Sequence, residues 1–203
     1  MKLYFSTTSP YARKVLVVAI ETGLDAVIER LPTNVYAPDA NFLAANPLGK
    51  IPALRTEDGR MLYDSPVICE YLDSLHAGSP LFPEREPALW QALRQQALAD
   101  GILDAAVLCR LENAVRPAEF RWPGWIERQW SKVVRGLDAL DGEAASFNDE
   151  PLTIGQIAIG CALGWLDYRF PEENWRASRP TLAAWYDIFA TRPSMRASAH
   201  FEA

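Results

Sequence analysis

Asn46-Pro47-Leu48-Gly49-Lys50-Ile51-Pro52-Ala53-Leu54, followed ten residues later by Asp64-Ser65-Pro66, is the stretch from which the fold is read. The first piece is a loop crowded with turn formers that brings a proline to the mouth of an apolar strand. The second sets a hydroxyl and a proline where an amphipathic helix begins. Together they describe a backbone-lined slot facing a helix N-terminus, a geometry that suits a small peptide-like anion.

Working outward, the first 76 residues alternate strand and helix signals. Lys2 to Phe5 reads as a strand, and Pro10 to Thr22 as a helix opened by Ser9-Pro10 and stopped by Gly23. Val27 to Leu31 is a second strand, and a helical or irregular segment follows from Pro38 to Ala45. Ala53 to Thr56 and Met61 to Tyr63 make a hairpin around Asp58-Gly59. A helix from Pro66 to His76 then carries Val67, Ile68, Tyr71, Leu72 and Leu75 on one face. The order is βαβαββα, a parallel crossover extended by an antiparallel hairpin.

Residues 77–86, with Gly78, Pro80 and Pro83, read as a linker, and beyond them strand signals vanish. Residues 87–203 form an all-α half. Its helices run from Pro87 to Val115, Pro123 to Leu140, Thr153 to Tyr168, Pro180 to Thr191 and Pro193 to Ala199. Thr153 and Gln156 spell a capping box, with Leu152 and Ile157 as a hydrophobic staple. The helix they open is apolar nearly all round, which predicts the buried centre of this half. Gly155, Gly160 and Gly164 along it predict close helix packing.

Composition narrows the function. The 203 residues are 49% hydrophobic, enough for a real core, and the net charge of −6 comes without any basic block. Nucleic acid is therefore not an expected partner. No apolar run approaches a membrane span, and the first residues are too short and polar for a signal peptide. Cys69, Cys109 and Cys161 are odd in number and set in apolar helical contexts, which predicts buried, reduced thiols in the cytoplasm. With no Cys-x-x-Cys and only His76 and His200 to offer imidazole, no metal site is expected.

Several residues could carry chemistry. Pro52 is either cis, turning the Ile51 amide and carbonyl outward for an extended ligand, or a trans proline opening an edge strand, the commoner case. Ser65 before Pro66 reads as an ordinary N-cap, or as part of a carboxylate site with Asp64 beside it for an ammonium. Ser9 is a simple N-cap, or a hydroxyl placed where a helix dipole and a donated hydrogen bond stabilise a thiolate. Lys50 flanks the slot. No histidine neighbours Ser9 in sequence, which argues against a serine-nucleophile hydrolase.

With these residues in view, the chain resembles a bacterial glutathione S-transferase over essentially its whole length. The resemblance rests on Ser9-Pro10-Tyr11-Ala12-Arg13-Lys14, Asn46 to Pro52, Asp64-Ser65-Pro66-Val67-Ile68 and the capping box from Thr153, in that order. It implies a thioredoxin-like N-terminal domain and a helical-bundle C-terminal domain, a homodimer, and glutathione as co-substrate with a small apolar electrophile. It further implies that Ile51, beside a cis Pro52, pairs with the cysteinyl part of glutathione. Asp64 and Ser65 would hold the γ-glutamyl end, Lys50 the glycine carboxylate, and Ser9 the sulfur, with Thr8 as a competing hydroxyl. The acceptor pocket would draw on Tyr11, Asp104, Val107, Leu108, Arg110 and Trp165, where Asp104 and Arg110 either pair with each other or line the cleft. Gln156 replaces the family's usual capping-box acid. A glutathione-dependent reductase or isomerase is one alternative; Ser9 stands where thiol-transferring classes use cysteine, which disfavours disulfide exchange. A catalytically silent, partner-binding regulator on the same fold is the other alternative.

Overall fold

The computed structural model describes residues 1–149 and 151–201; the last two positions of the expected all-α half, and Glu150 within it, lie outside the described residues. Four strands make one sheet in the order β2-β1-β3-β4. β1 (Lys2–Phe5) pairs parallel with β2 (Glu29–Pro32), in register Leu3 with Arg30. On its other side β1 pairs antiparallel with β3 (Ala53–Arg55), which forms the expected hairpin with β4 (Met61–Leu62). The sheet is mixed because the β1-to-β2 connection carries a helix while β3 and β4 are joined by a tight turn.

Helix α1 (Pro10–Glu21) provides that connection, and it buries Ala12, Val15, Leu16, Val17, Val18 and Ala19. It ends because Gly23 adopts φ +73°, a conformation that lets the Leu24 amide donate back to the Ala19 carbonyl at 2.8 Å. The irregular segment resolves into the short helix α2 (Ala40–Ala45), capped by the Asp39 carboxylate, which accepts from the Phe42 amide at 2.7 Å. α3 (Ser65–Asp73) starts one residue earlier than expected, with Asp64 at the cap and Ser65 inside the helix. Its buried face is Ser65, Ile68, Cys69 and Leu72; Val67 and Leu75, which the sequence placed on the same apolar face, are each 45% exposed, and Leu75 lies beyond the helix end.

In the second half α4 (Ala88–Ala114) runs unbroken for 27 residues, followed by α5 (Pro123–Glu143), α6 (Ile154–Arg169), α7 (Pro180–Phe189) and α8 (Pro193–Ala197). Every residue of α6 from Ile154 to Leu166 is buried, so it is the central helix that its all-round apolar sequence predicts. Its glycines admit neighbours: a Cβ on Gly160 would run into the Phe189 ring, and one on Gly155 into the Gln95 side chain. The Gln156 side chain completes the capping box by accepting from the Thr153 amide at 2.7 Å.

α1 also joins the two halves. The Lys14 ammonium, 1% exposed, lies 2.6 and 2.7 Å from the two carboxylate oxygens of Asp100 on α4. The Arg13 guanidinium donates to the Met195 carbonyl at 3.0 Å, and Glu21 accepts from Arg192 through both of its oxygens at 2.9 Å. Among the described residues no helix is long and apolar enough to cross a membrane.

Candidate functional site

The loop from Asn46 to Pro52 is shaped by its first residue. Asn46 is buried; its side-chain amide donates to the Lys50 carbonyl at 2.7 Å and its side-chain oxygen accepts from the Leu48 amide at 3.1 Å. Gly49 turns the chain at φ +61°. These contacts present Ile51 ahead of β3 through a cis Ile51–Pro52 peptide, the first of the two sequence readings. Neither the amide nor the carbonyl of Ile51 takes part in a hydrogen bond within the described residues. A polar edge of backbone is thus left for an extended ligand.

Ser9 caps α1 as predicted: its Oγ accepts from the Ala12 amide at 3.2 Å, which leaves the hydroxyl proton to donate elsewhere. The competing hydroxyl, on Thr8, is shared with Ser6 Oγ at 3.1 Å. The Thr8 carbonyl accepts from the Trp165 indole at 3.1 Å, and this bond ties the strand end to α6.

These elements enclose a cavity of about 580 Å³, within the range of small-molecule sites. Of the predicted residues, Ser9, Ile51, Tyr11, Val107, Arg110 and Trp165 line it. Lys50, Pro52, Asp64, Ser65, Asp104 and Leu108 do not line it. Lys50 and Pro52 flank Ile51 in the chain, with Lys50 exposed and Pro52 buried. Ser65 is buried at the start of α3 and Asp64 is exposed beside it. Leu108 is 40% exposed, one residue out of step with the α4 face that carries Val107, Leu111 and Ala114 to the cavity.

Asp104 and Arg110, which the sequence could not separate, have different settings. The Asp104 carboxylate accepts from the Tyr11 hydroxyl at 2.5 Å, whereas Arg110 lines the cavity without an ion pair among the described residues. Burial pushes the Tyr11 phenol well above its usual range, and the hydrogen bond to Asp104 and the charges of Asp104, Asp100 and Asp64 push it further. Tyr11 is therefore a neutral donor committed to Asp104. Burial also drives the Cys69 thiol up to about 12 and the Cys161 thiol to about 11, and no cysteine lines the cavity.

Sequence reasoning missed the wall formed by Thr33, Asn34, Val35 and Tyr36, an irregular loop whose position depends on where β2 ends. It also missed Arg169, although a position four beyond Trp165 shares that residue's helix face.

Known proteins share this sequence pattern and fold. The sequence profile of the glutathione S-transferase N-terminal domain matches residues 8–75, and that of the glutathione S-transferase C-terminal domain matches residues 123–187. The chain is 36% identical over 198 residues to the uncharacterized GST-like protein YibF of Escherichia coli (strain K12), with 96% of each sequence covered. Its backbone superposes with a TM-score of 0.94 on a glutathione transferase family member from Pseudomonas fluorescens Pf-5 with bound glutathione, at 44% identity and 99% coverage of both chains. A second Pseudomonas fluorescens Pf-5 structure, with bound S-(propanoic acid)-glutathione, gives a TM-score of 0.91 at 42% identity and full coverage of both.

Proposed function

The chain belongs to the glutathione S-transferase family, and we propose that it binds reduced glutathione along the Ile51 edge and transfers its thiolate to a small electrophile. The observation that carries this reading is the Ser9 hydroxyl, which lines the same cavity as the unpaired Ile51 backbone and retains a proton to donate. In this reading the Ile51 amide and carbonyl pair with the cysteinyl residue beside Pro52. Asp64 meets the γ-glutamyl ammonium, Ser65 and the amides opening α3 meet its carboxylate, and Lys50 meets the glycine carboxylate. Relatives that hold glutathione or its S-propanoic acid conjugate support the ligand.

The chemistry follows from the Ser9 position. A hydroxyl donating to sulfur, at the positive end of α1, favours thiolate over thiol, so the thiol proton passes to solvent. The sulfur lone pair then forms a bond to an electrophilic carbon. Either a leaving group departs with its bonding pair, or a conjugated double bond moves its pair to the adjacent carbon, which takes a proton from water. The protein contributes positioning and stabilisation of the thiolate. Disulfide reduction is a poor alternative because the chain's three thiols are all buried and shifted towards the protonated form.

The biological setting in this reading is detoxification by a cytoplasmic homodimer, to which the unpaired, buried cysteines are suited. Calorimetric titration with reduced glutathione tests the site. Wild-type protein saturates, and Ser65→Ala weakens binding by about tenfold, as expected for loss of one hydrogen bond to a charged group. Equal affinity in the two proteins removes Ser65 from the site.

A further inference from the structure

Arg110 stands out among the residues that line the cavity. It is half-buried on α4, and no ion pair or hydrogen bond engages it within the described residues. The carboxylates nearest to it on its own helix make contacts with other residues. Asp104 accepts from Tyr11, and Glu112 accepts from the Arg116 guanidinium at 2.7 Å and from the Trp122 amide at 3.0 Å. On α6, Asp167, two residues before Arg169 and away from the cavity lining, is taken by Arg176 at 2.7 Å and by the Trp175 indole at 2.7 Å. A guanidinium left partly desolvated in a cavity, unpaired among the described residues, is a ready partner for an anion that enters with a ligand.

The wall has a direction. Along the cleft face of α4, Asp100 and Asp104 lie towards its N-terminus, and Val107, Arg110, Leu111, Ala114 and Val115 follow towards its C-terminus. At 1.5 Å per residue, Arg110 is about 9 Å further along the helix than Asp104. The acidic end thus faces Tyr11 and Asp64, whose charge reaches Tyr11. The basic end opens onto an apolar surface of Val107, Leu111 and Trp165, with Arg169 on α6 adding positive charge on that side. Such a surface fits a short carbon skeleton that ends in an anion.

We infer that the acceptor end of the cavity selects electrophiles that carry a carboxylate on a short apolar skeleton, and that Arg110 is the residue that recognises it. This rests on the glutathione reading above and names the substrate class for the same site. It also narrows the expectation of an apolar electrophile: the carbon skeleton meets the apolar wall and the charged end meets Arg110. The carboxylate takes no part in bond making. It orients the reacting carbon towards the sulfur, so that Arg110 determines specificity and leaves thiolate formation to Ser9.

The test compares two conjugates that differ only in charge, S-(2-carboxyethyl)glutathione and its neutral amide S-(2-carbamoylethyl)glutathione. Both, and reduced glutathione itself, are titrated by calorimetry into wild-type protein and Arg110→Gln, with thermal melts to establish that the variant is folded. The expected result is that wild-type protein binds the acid at least tenfold more tightly than the amide, that this ratio falls to near one in Arg110→Gln, and that glutathione changes by no more than twofold. A wild-type ratio near one, or a ratio that survives in the variant, overturns the inference. Glutathione losing as much affinity as the acid also overturns it, because Arg110 then serves glutathione itself. Failure of wild-type protein to bind glutathione at all sinks the underlying reading, and this inference with it.

Discussion

Ser9, Thr8 and His200 show how differently three polar groups at one strand end can be used. The Ser9 hydroxyl accepts from the backbone and keeps its proton, whereas Thr8 shares its hydroxyl with Ser6. The His200 ring stacks on Tyr168 and hydrogen-bonds the Thr7 carbonyl at 2.9 Å through Nδ1, while its Nε2 is buried without a partner. Burial lowers its pKa to about 4, and the charges of Arg13 and Arg169 act in the same direction. Because the folded value lies below the unfolded one, the neutral ring's contribution is complete above about pH 6.5 and is lost as pH falls towards 4. Denaturant titrations across that window should show His200→Gln losing less stability on acidification than the wild type, by up to about 3 kcal/mol. Parallel curves would show that His200 is not held neutral. At this scale Ser9 and Ile51 were legible because each stands at the junction of a turn signal and an element. His200 was not, since a lone histidine near a chain end carries no pattern.

At the scale of elements, periodicity and caps carried most of the fold. Helices α1, α5, α7 and α8 begin with a proline in the first turn, and each start was readable. The start of α3 was misplaced by one residue because Ser65-Pro66 reads as a cap followed by a first-turn proline, whereas Asp64 occupies the cap position without a side-chain hydrogen bond to the helix. The capping box of α6 does more than its sequence suggested. The Gln156 amide, besides closing the box, donates to the Phe147 carbonyl at 2.6 Å, a bond that a carboxylate cannot make. Gln156→Glu should therefore destabilise this protein by about 1–3 kcal/mol at neutral pH. The carboxyl would regain the donor on protonation, so its folded pKa is raised and the lost stability should return as pH falls. Urea unfolding at neutral and acidic pH measures both effects; a variant as stable as wild type at neutral pH would contradict the assignment. The Thr33–Tyr36 wall was invisible because an irregular loop has no period to read.

Across the whole molecule, the cleft exists because α1 holds the sheet against the helical half. The Lys14–Asp100 pair crosses that junction; the two residues stand on helices far apart in the sequence, and their complementarity appears only when those helices meet. Burial raises the Asp100 pKa even though Lys14 opposes it, so the carboxylate relies on its partner. Lys14→Met should cost about 3–5 kcal/mol by leaving a buried charge uncompensated, while Lys14→Met with Asp100→Leu should cost less than the single change. Equilibrium unfolding of the two proteins decides this, and a double variant weaker than the single would refute it. On this frame the central claim is that the cavity holds glutathione with its sulfur at Ser9. The most direct measurement is the pKa of the bound glutathione thiol, followed by thiolate absorbance against pH in wild-type protein and in Ser9→Ala. A value at least one unit below the ordinary thiol pKa of about 8.5 in the wild type, moving back by about one unit in the variant, is the predicted result. A bound thiol that titrates like the free one, or a depressed value that Ser9→Ala leaves in place, would contradict it.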